Sequence, residues 1–137
     1  MIREDIKNMI VNEQQSQQTD FFSITDINAY IDKIMSAADV VAHYKNGSLI
    51  GFVAFYCNDE TMKQAFVSMI VVSPEMRSTG VSCSLLETVV FMAKRNEMKK
   101  VCLEVKKSNH RAFRFYEKKG FKVKSQDEVS YIMELLI

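Results

Sequence analysis

Hydrophobic positions recur at two periods along this chain, and the change of period divides it. Ile2, Ile6, Met9 and Ile10 share one face at helical spacing, which predicts an amphipathic helix over residues 2–12. Residues 12–18 are polar and Gln-rich and read as a loop; Asp20-Phe21-Phe22-Ser23 then places two adjacent rings where a lid or docking surface would lie. Thr25 or Asp26 caps a second helix, with Ile27, Tyr30, Ile31 and Ile34 facing inward. From Val40 the period drops to two. Residues 40–45 and 48–56 flank Asn46-Gly47, a pair that accepts positive φ at both central positions of a tight turn, so they form a hairpin. Asn58-Asp59-Glu60-Thr61 makes the next turn and residues 63–72 the next strand, giving three antiparallel strands in succession.

That third apolar run stops at Pro74, the one proline in the chain. Beyond it Val81, Leu85, Val89 and Ala93 fall on one face of a helix over residues 81–95. Residues 100–105 form a short strand, which lies parallel to the one ending at Val72 because a helix carries the chain back. Residues 109–119 read as a helix closed by Gly120, and residues 121–124 and 129–136 as a last hairpin around Gln126-Asp127-Glu128. No repeat or linker interrupts residues 1–137, so a single mixed α/β domain is expected.

Composition narrows the class. The chain is 47% apolar and 26% charged, ordinary for a soluble globular domain, and no apolar run approaches the roughly 18 residues of a membrane span. Met1-Ile2-Arg3-Glu4-Asp5 has no apolar secretory core. Cys57, Cys83 and Cys102 are odd in number and widely spaced, which fits reduced, buried thiols of a cytoplasmic protein; with only His43 and His110 no metal cluster is indicated. The formal charge is +1, yet residues 94–124 hold twelve Lys or Arg against Glu97, Glu104 and Glu117. Phe113, Phe115 and Tyr116 in that segment follow helical rather than base-stacking spacing, which speaks against nucleic acid. The segment reads either as a solvated face or as a surface that meets nucleotide phosphates.

The junction between Val72 and the helix at Val81 carries the most chemistry. Unpaired N–H groups of a first helical turn point outward together, and the helix dipole adds positive potential, so this is an anion site in outline. Gly80 lacks a Cβ and Ser82 has a small side chain, which lets a phosphate approach the backbone, and Arg77 adds a fixed cation. An ordinary strand-to-helix turn is the plainer alternative.

Arg77-Ser78-Thr79-Gly80-Val81-Ser82, preceded by Val72-Ser73-Pro74-Glu75, resembles the Q/R-x-x-G-x-G/A signature of the GNAT superfamily of acyl-CoA N-acyltransferases, with Ser82 replacing the final small residue. The segment Leu103 to Phe121 is similar to that family's L-x-V-x-x-x-N-x-x-A-x-x-x-Y-x-x-x-G-F run. With Glu104 on the strand and Ser108-Asn109 before the helix, it is closest to the branch that acetylates N-termini of ribosomal proteins. The resemblance implies a mixed, mostly antiparallel sheet of about six or seven strands with about four helices, the first strand short or absent. It also implies acetyl-CoA as co-substrate, its diphosphate held by the amides from Arg77 through Cys83. Asn109 would bond the pantetheine arm, which pairs with backbone between splayed strands, and a backbone N–H near Ile70, Val71 or Val72 would polarise the thioester carbonyl.

Val101, Leu103 and Val105 alternate to one face, leaving Cys102 and Glu104 on the other. A carboxylate there is either a general base for an attacking amine or a surface acid paired with Lys99, Lys100 or Lys106. Tyr116, seven residues after Asn109 and on the same helical face, is by resemblance the acid for the departing thiolate; its alternative is a core Tyr packed with Phe113. The expected reaction is direct transfer of acetyl from acetyl-CoA to the primary amine of a small molecule or amino sugar. A peptide N-terminus is the alternative acceptor, and a non-catalytic acyl-CoA-binding domain the alternative class. Residues 12–25 and 125–128 are expected to wall the acceptor, with Asp20, Asp26, Asp127 and Glu128 as attractors for a cationic amine or plain turn residues. An edge left by a missing first strand would offer a place for a partner and so favour the binding or interaction domain; a second copy of the chain, a homodimer, is one candidate partner.

Overall fold

Residues 51–55 offer no side to water, and the strand that carries them is buried on both faces. The computed structural model describes residues 2–16 and 26–137. Helices α1 (Ile2–Ser16) and α2 (Ile27–Ala37) precede the strands β1 (Asp39–Lys45), β2 (Ser48–Asp59) and β3 (Gln64–Val72). Then follow α3 (Val81–Arg95), β4 (Lys100–Lys106), α4 (His110–Lys118), β5 (Lys122–Gln126) and β6 (Ser130–Leu136). The strands make one six-stranded sheet in the order β1-β2-β3-β4-β6-β5, antiparallel except where β3 and β4 run parallel. On one face Ile6, Ile10, Ile31 and Ile34 of the first two helices cover Phe52, Ala54, Met69 and Val71. On the other, Leu85 and Val89 of α3 and Tyr116 of α4 belong to a core with Val53, Val67, Leu103 and Met133. Among the described residues, the first strand of the sheet is β1, after both N-terminal helices.

Three boundaries differ from the sequence reading. Residues 12–16 are helical, not loop, because Glu13 continues the Ile6–Ile10 stripe and Gln and Glu are fair helix formers. The turn expected at residues 58–61 falls instead at 60–63: β2 runs to Asp59, whose carboxylate accepts from Met62 N at 2.9 Å. At the last hairpin Gln126 is in β5, and Asp127 Oδ1 accepts from Val129 N (2.9 Å) and Ser130 N (2.7 Å), so the turn begins one residue later. Asn46 and Gly47 have φ of 52° and 81°, the conformation that their hairpin requires.

One irregularity shapes the molecule. Ala54 pairs with Met69 and Phe55 with Val67, so Ser68 is an extra residue in β3. A bulge bends its strand. The parallel ladder ends there: β3 and β4 pair from Gln64↔Lys100 only to Val67↔Leu103, and beyond this they part. Close packing holds the other end. A Cβ on Gly51 of β2 would lie 3.0 Å from Val81 Cγ1 and 3.2 Å from the Val71 carbonyl oxygen. Gly51→Ala is therefore expected to destabilise the fold by about 1–3 kcal/mol. A thermal melt would show it as a drop of several degrees, and an unchanged melt would contradict the packing argument.

Candidate active site

The turn after β3 is built to leave backbone donors unused. Ser73 N bonds Ile50 O at 2.9 Å, and Pro74–Met76 makes a single 3-10 turn. Ser78 and Gly80, on either side of Thr79, then take φ of 66° and 93°, both left-handed. The Thr79 hydroxyl donates to the Met76 carbonyl and braces the loop. The next backbone N–H to find a carbonyl is Ser84, bonded to Gly80 O at 3.0 Å. Between them, the N–H groups from Ser78 through Cys83 meet no acceptor among the described residues. A Cβ at Gly80 would meet nothing within 4 Å, so the surface there is open. These features fit a polyphosphate on main-chain donors.

Two chambers, one at this turn and one at the strand gap, share part of their lining. The first, about 360 Å³, runs from Ser78, Gly80 and Ser82 past Cys83 to the upper end of β3 at Ile70, Val71 and Val72. The second, about 370 Å³, opens between the parted strands, with Ser68 on one side and Glu104 on the other. Ile70, Asn109, Ala112 and Tyr116 line both. Asn109 Oδ1 accepts from Ala112 N at 3.2 Å, which caps α4 and fixes the side chain where the chambers meet. Tyr116 is 6% exposed, its ring edge-on to Phe115 and Phe121 at 5.4 and 5.6 Å, and burial pushes its phenol well above the usual range. The Tyr30 hydroxyl reaches Ser68 Oγ at 2.7 Å and ties α2 to the bulge; burial raises this phenol as well.

Glu104 is exposed into the second chamber. Of the lysines considered as its partner, Lys100 lies 3.7 Å from Glu134 instead. Cys102, on the same face of β4, is 4% exposed; burial pushes its thiol up, and its Sγ lies 3.5 Å from Gln64 Oε1. Cys57 and Cys83 are only half-buried, so the expectation of three buried thiols holds for Cys102 alone.

Most residues singled out in the sequence lie together here: Ile70, Val71, Val72, Arg77, Ser78, Gly80, Ser82, Cys83, Asn109 and Tyr116 line the first chamber, and Glu104 the second. The side chains of Thr79 and Val81 do not line the first chamber. Val81 is buried in the core, so these two offer only backbone. Asp26 accepts from Ala29 N as the cap of α2, and Asp127 is held by its turn. Both are structural acids. Asp20 and the Phe21-Phe22 pair lie outside the described residues.

Two charged residues were missed. Glu13, 4% exposed, forms an ion pair with Arg77 on the wall of the first chamber, and Arg111 faces the same space from α4. A carboxylate continuing an isoleucine stripe was the available signal for Glu13. From the basic segment, Arg111 faces the first chamber and Lys106 the second. Lys107 and Lys119 instead lie over the rings of Tyr131 and Phe115, at 5.2 and 5.8 Å.

A sequence profile of the acetyltransferase (GNAT) family matches residues 7–121. An uncharacterised N-acetyltransferase of Methanocaldococcus jannaschii is 34% identical over 83 residues, 58% of this chain and 37% of that protein. A candidate ribosomal protein bS18-alanine N-acetyltransferase of Bacillus subtilis is 31% identical over 83 residues, 58% of this chain and 53% of that protein. The matched stretch thus spans about a third to a half of these curated relatives. In fold, the chain is similar to the PaiA N-acetyltransferase of Thermoplasma acidophilum, solved with coenzyme A, at a TM-score of 0.81 and 20% identity over 98% of this chain and 92% of that one.

Proposed function

We propose that this chain, which belongs to the acetyltransferase (GNAT) family, transfers an acetyl group from acetyl-CoA to the primary amine of a small molecule or amino sugar. The observation that carries this reading is the junction of the two chambers. One ends in six consecutive backbone N–H groups, Ser78 through Cys83, that meet no acceptor among the described residues, and the other at a solvent-reached carboxylate, Glu104. Where they meet stand Asn109 and Tyr116.

The donor supplies an activated thioester, and the protein's residues place and polarise it. The Ser78–Cys83 amides would hold the diphosphate, and the Asn109 carboxamide, fixed by its cap, keeps an N–H₂ for the pantetheine arm. Backbone that β3 no longer shares with β4, at Ile70 to Val72, would donate to the thioester oxygen as charge builds there. Glu104, directly or through one water, would take the proton from the attacking nitrogen. A C–N bond forms as the C–S bond breaks, and the Tyr116 hydroxyl would donate toward the departing sulfur. Direct attack fits the thiols present: Cys102, nearest Glu104 on its strand, is buried with its thiol pushed up and is a poor nucleophile.

The amine must be neutral to react. An α-amine or amino sugar near pKa 8 needs less help than a lysine near 10.4. The similarity to a candidate ribosomal-protein acetyltransferase favours a second reading, a peptide N-terminus, in the same chemistry. Acetyl-CoA consumption against small amines, amino sugars and alanine-initiated peptides separates the two, and binding of acetyl-CoA without turnover on any amine would contradict both. Glu104→Gln is expected to lower kcat/KM at neutral pH by about 100-fold. Part of the loss should return as pH rises and the acceptor deprotonates itself. A variant as fast as the parent at neutral pH would remove Glu104 from the chemistry.

A further inference from the structure

The second chamber holds two opposite charges that the fold leaves unpaired. Glu104 and Lys106 are the charged residues among those lining it. They stand two positions apart on β4, so both side chains leave the same face of the sheet, about 7 Å apart at their origins. No ion pair among the described residues includes either one. Glu134, another carboxylate on this face, is shared by Lys100 and Lys124, each at 3.7 Å. Asp127 interacts electrostatically with Lys106, but the backbone N–H groups of Val129 and Ser130 already bind its carboxylate. Lys106 is half-buried, and an ammonium partly withdrawn from water gains from an anion beside it. Directly across the ladder stands Ser130, 2% exposed, whose Oγ has no hydrogen-bond partner among the described residues. A buried hydroxyl without an acceptor marks the same corner as incomplete. The backbone there is fixed: Lys106 O accepts from Asn109 N at 2.9 Å and Val129 O from Lys107 N at 2.8 Å.

We propose that the acceptor is an amine that also carries an anionic group, a carboxylate or a phosphate, and that Lys106 is the residue that selects it. The inference rests on the acetyl-CoA reading and narrows its acceptor class. Glu104 draws the ammonium and takes its proton, while Lys106 holds the anion farther along β4. An acceptor of one charge type leaves half of this pair unanswered. A polyamine fits worse still, because its second cation would meet the Lys106 ammonium in place of a carboxylate. A free amino acid, a phosphorylated amino sugar and a peptide with an acidic second residue are three sources of the chemistry that the pair would accept.

Acceptors matched except for the anion test this and separate the sources. They are L-alanine against L-alaninamide, glucosamine 6-phosphate against glucosamine, and an alanine-initiated peptide with Glu against the same peptide with Gln at its second position. kcat/KM for each would be measured with saturating acetyl-CoA on the parent, Lys106→Met and Lys106→Arg. The parent-to-variant ratio cancels differences in amine basicity within a pair. In at least one pair, Lys106→Met is expected to lower kcat/KM of the anionic member by about 10-fold or more, mainly through KM, and to leave the neutral member unchanged. Lys106→Arg should keep most of the preference, and the pair that responds names the source of the anion. Equal losses for both members of every pair would make Lys106 a structural support and overturn the proposal. So would no loss in any pair, no turnover of any anionic acceptor, or faster parental turnover of spermidine than of every anionic acceptor. Lys106 does not line the first chamber, so calorimetry should give parental CoA affinity in both variants. A parent that binds neither CoA nor acetyl-CoA contradicts the acetyl-CoA reading itself, a result distinct from these.

Discussion

Tyr116→Phe is expected to lower kcat by about 100-fold or more and to leave the affinity for CoA nearly intact. The substitution removes one oxygen and keeps the ring, so the edge-on packing against Phe115 and Phe121 persists and the fold should melt near the parental temperature. Burial sharpens what the hydroxyl can do. A phenol pushed above its usual 10 is a weaker acid than a thiol near 8.5, and full transfer would leave a buried phenolate. The proposed contribution is therefore a hydrogen bond to sulfur that strengthens as negative charge develops. The sign for pH follows: a raised pKa keeps the donor form present up to and beyond pH of about 10, so Tyr116 adds no falling limb to the kcat profile below that. A parental profile that falls near pH 8 to 9 and flattens in the Phe variant would contradict this.

Gly80→Val carries the second large effect. Gly80 sits at φ 93°, where a β-branched residue is strained, and its missing Cβ faces open space above the unpaired amides. Valine either forces the turn out of its left-handed pair or plants a side chain where the diphosphate approaches. KM for acetyl-CoA should rise by about 100-fold or more, from loss of several charge-assisted hydrogen bonds together. The core beneath, Val81 with Leu85 and Val89, is untouched, so the variant should stay folded with a modestly lower melting temperature. Parental KM in Gly80→Val would mean that the loop does not hold the phosphates.

Much of this arrangement is legible in the sequence where chemistry is local. Asn46-Gly47 fixes its hairpin, Pro74 ends β3, and Gly80 with the Val81–Leu85–Val89 stripe marks where α3 begins. The alternation of residues 101–105 puts Glu104 on the face away from Val101 and Leu103, and the structure exposes it while burying them. What escaped depends on contacts between distant segments. The bulge at Ser68 is set by the register of β2 against β3, and no residue type at position 68 announces it. Glu13 read as one polar residue among several because its partner, Arg77, is 64 positions away. Arg111 sat inside a basic run whose members the fold sends to different surfaces. Asp26 and Asp127 had two readings each, attractor for an amine or local cap and turn residue, and the structure shows the capping and turn bonds of the second.

The claim on which the mechanism stands is that main-chain hydrogens of Ser78 through Cys83 grip a diphosphate and so aim a thioester at the gap beside Glu104. Isothermal titration of the purified chain with CoA and with acetyl-CoA tests it most directly. The account predicts saturable one-site heat for both ligands, at a dissociation constant on the order of 1 μM to 1 mM, the usual range for enzyme substrates. No heat with either ligand at high protein concentration would contradict it.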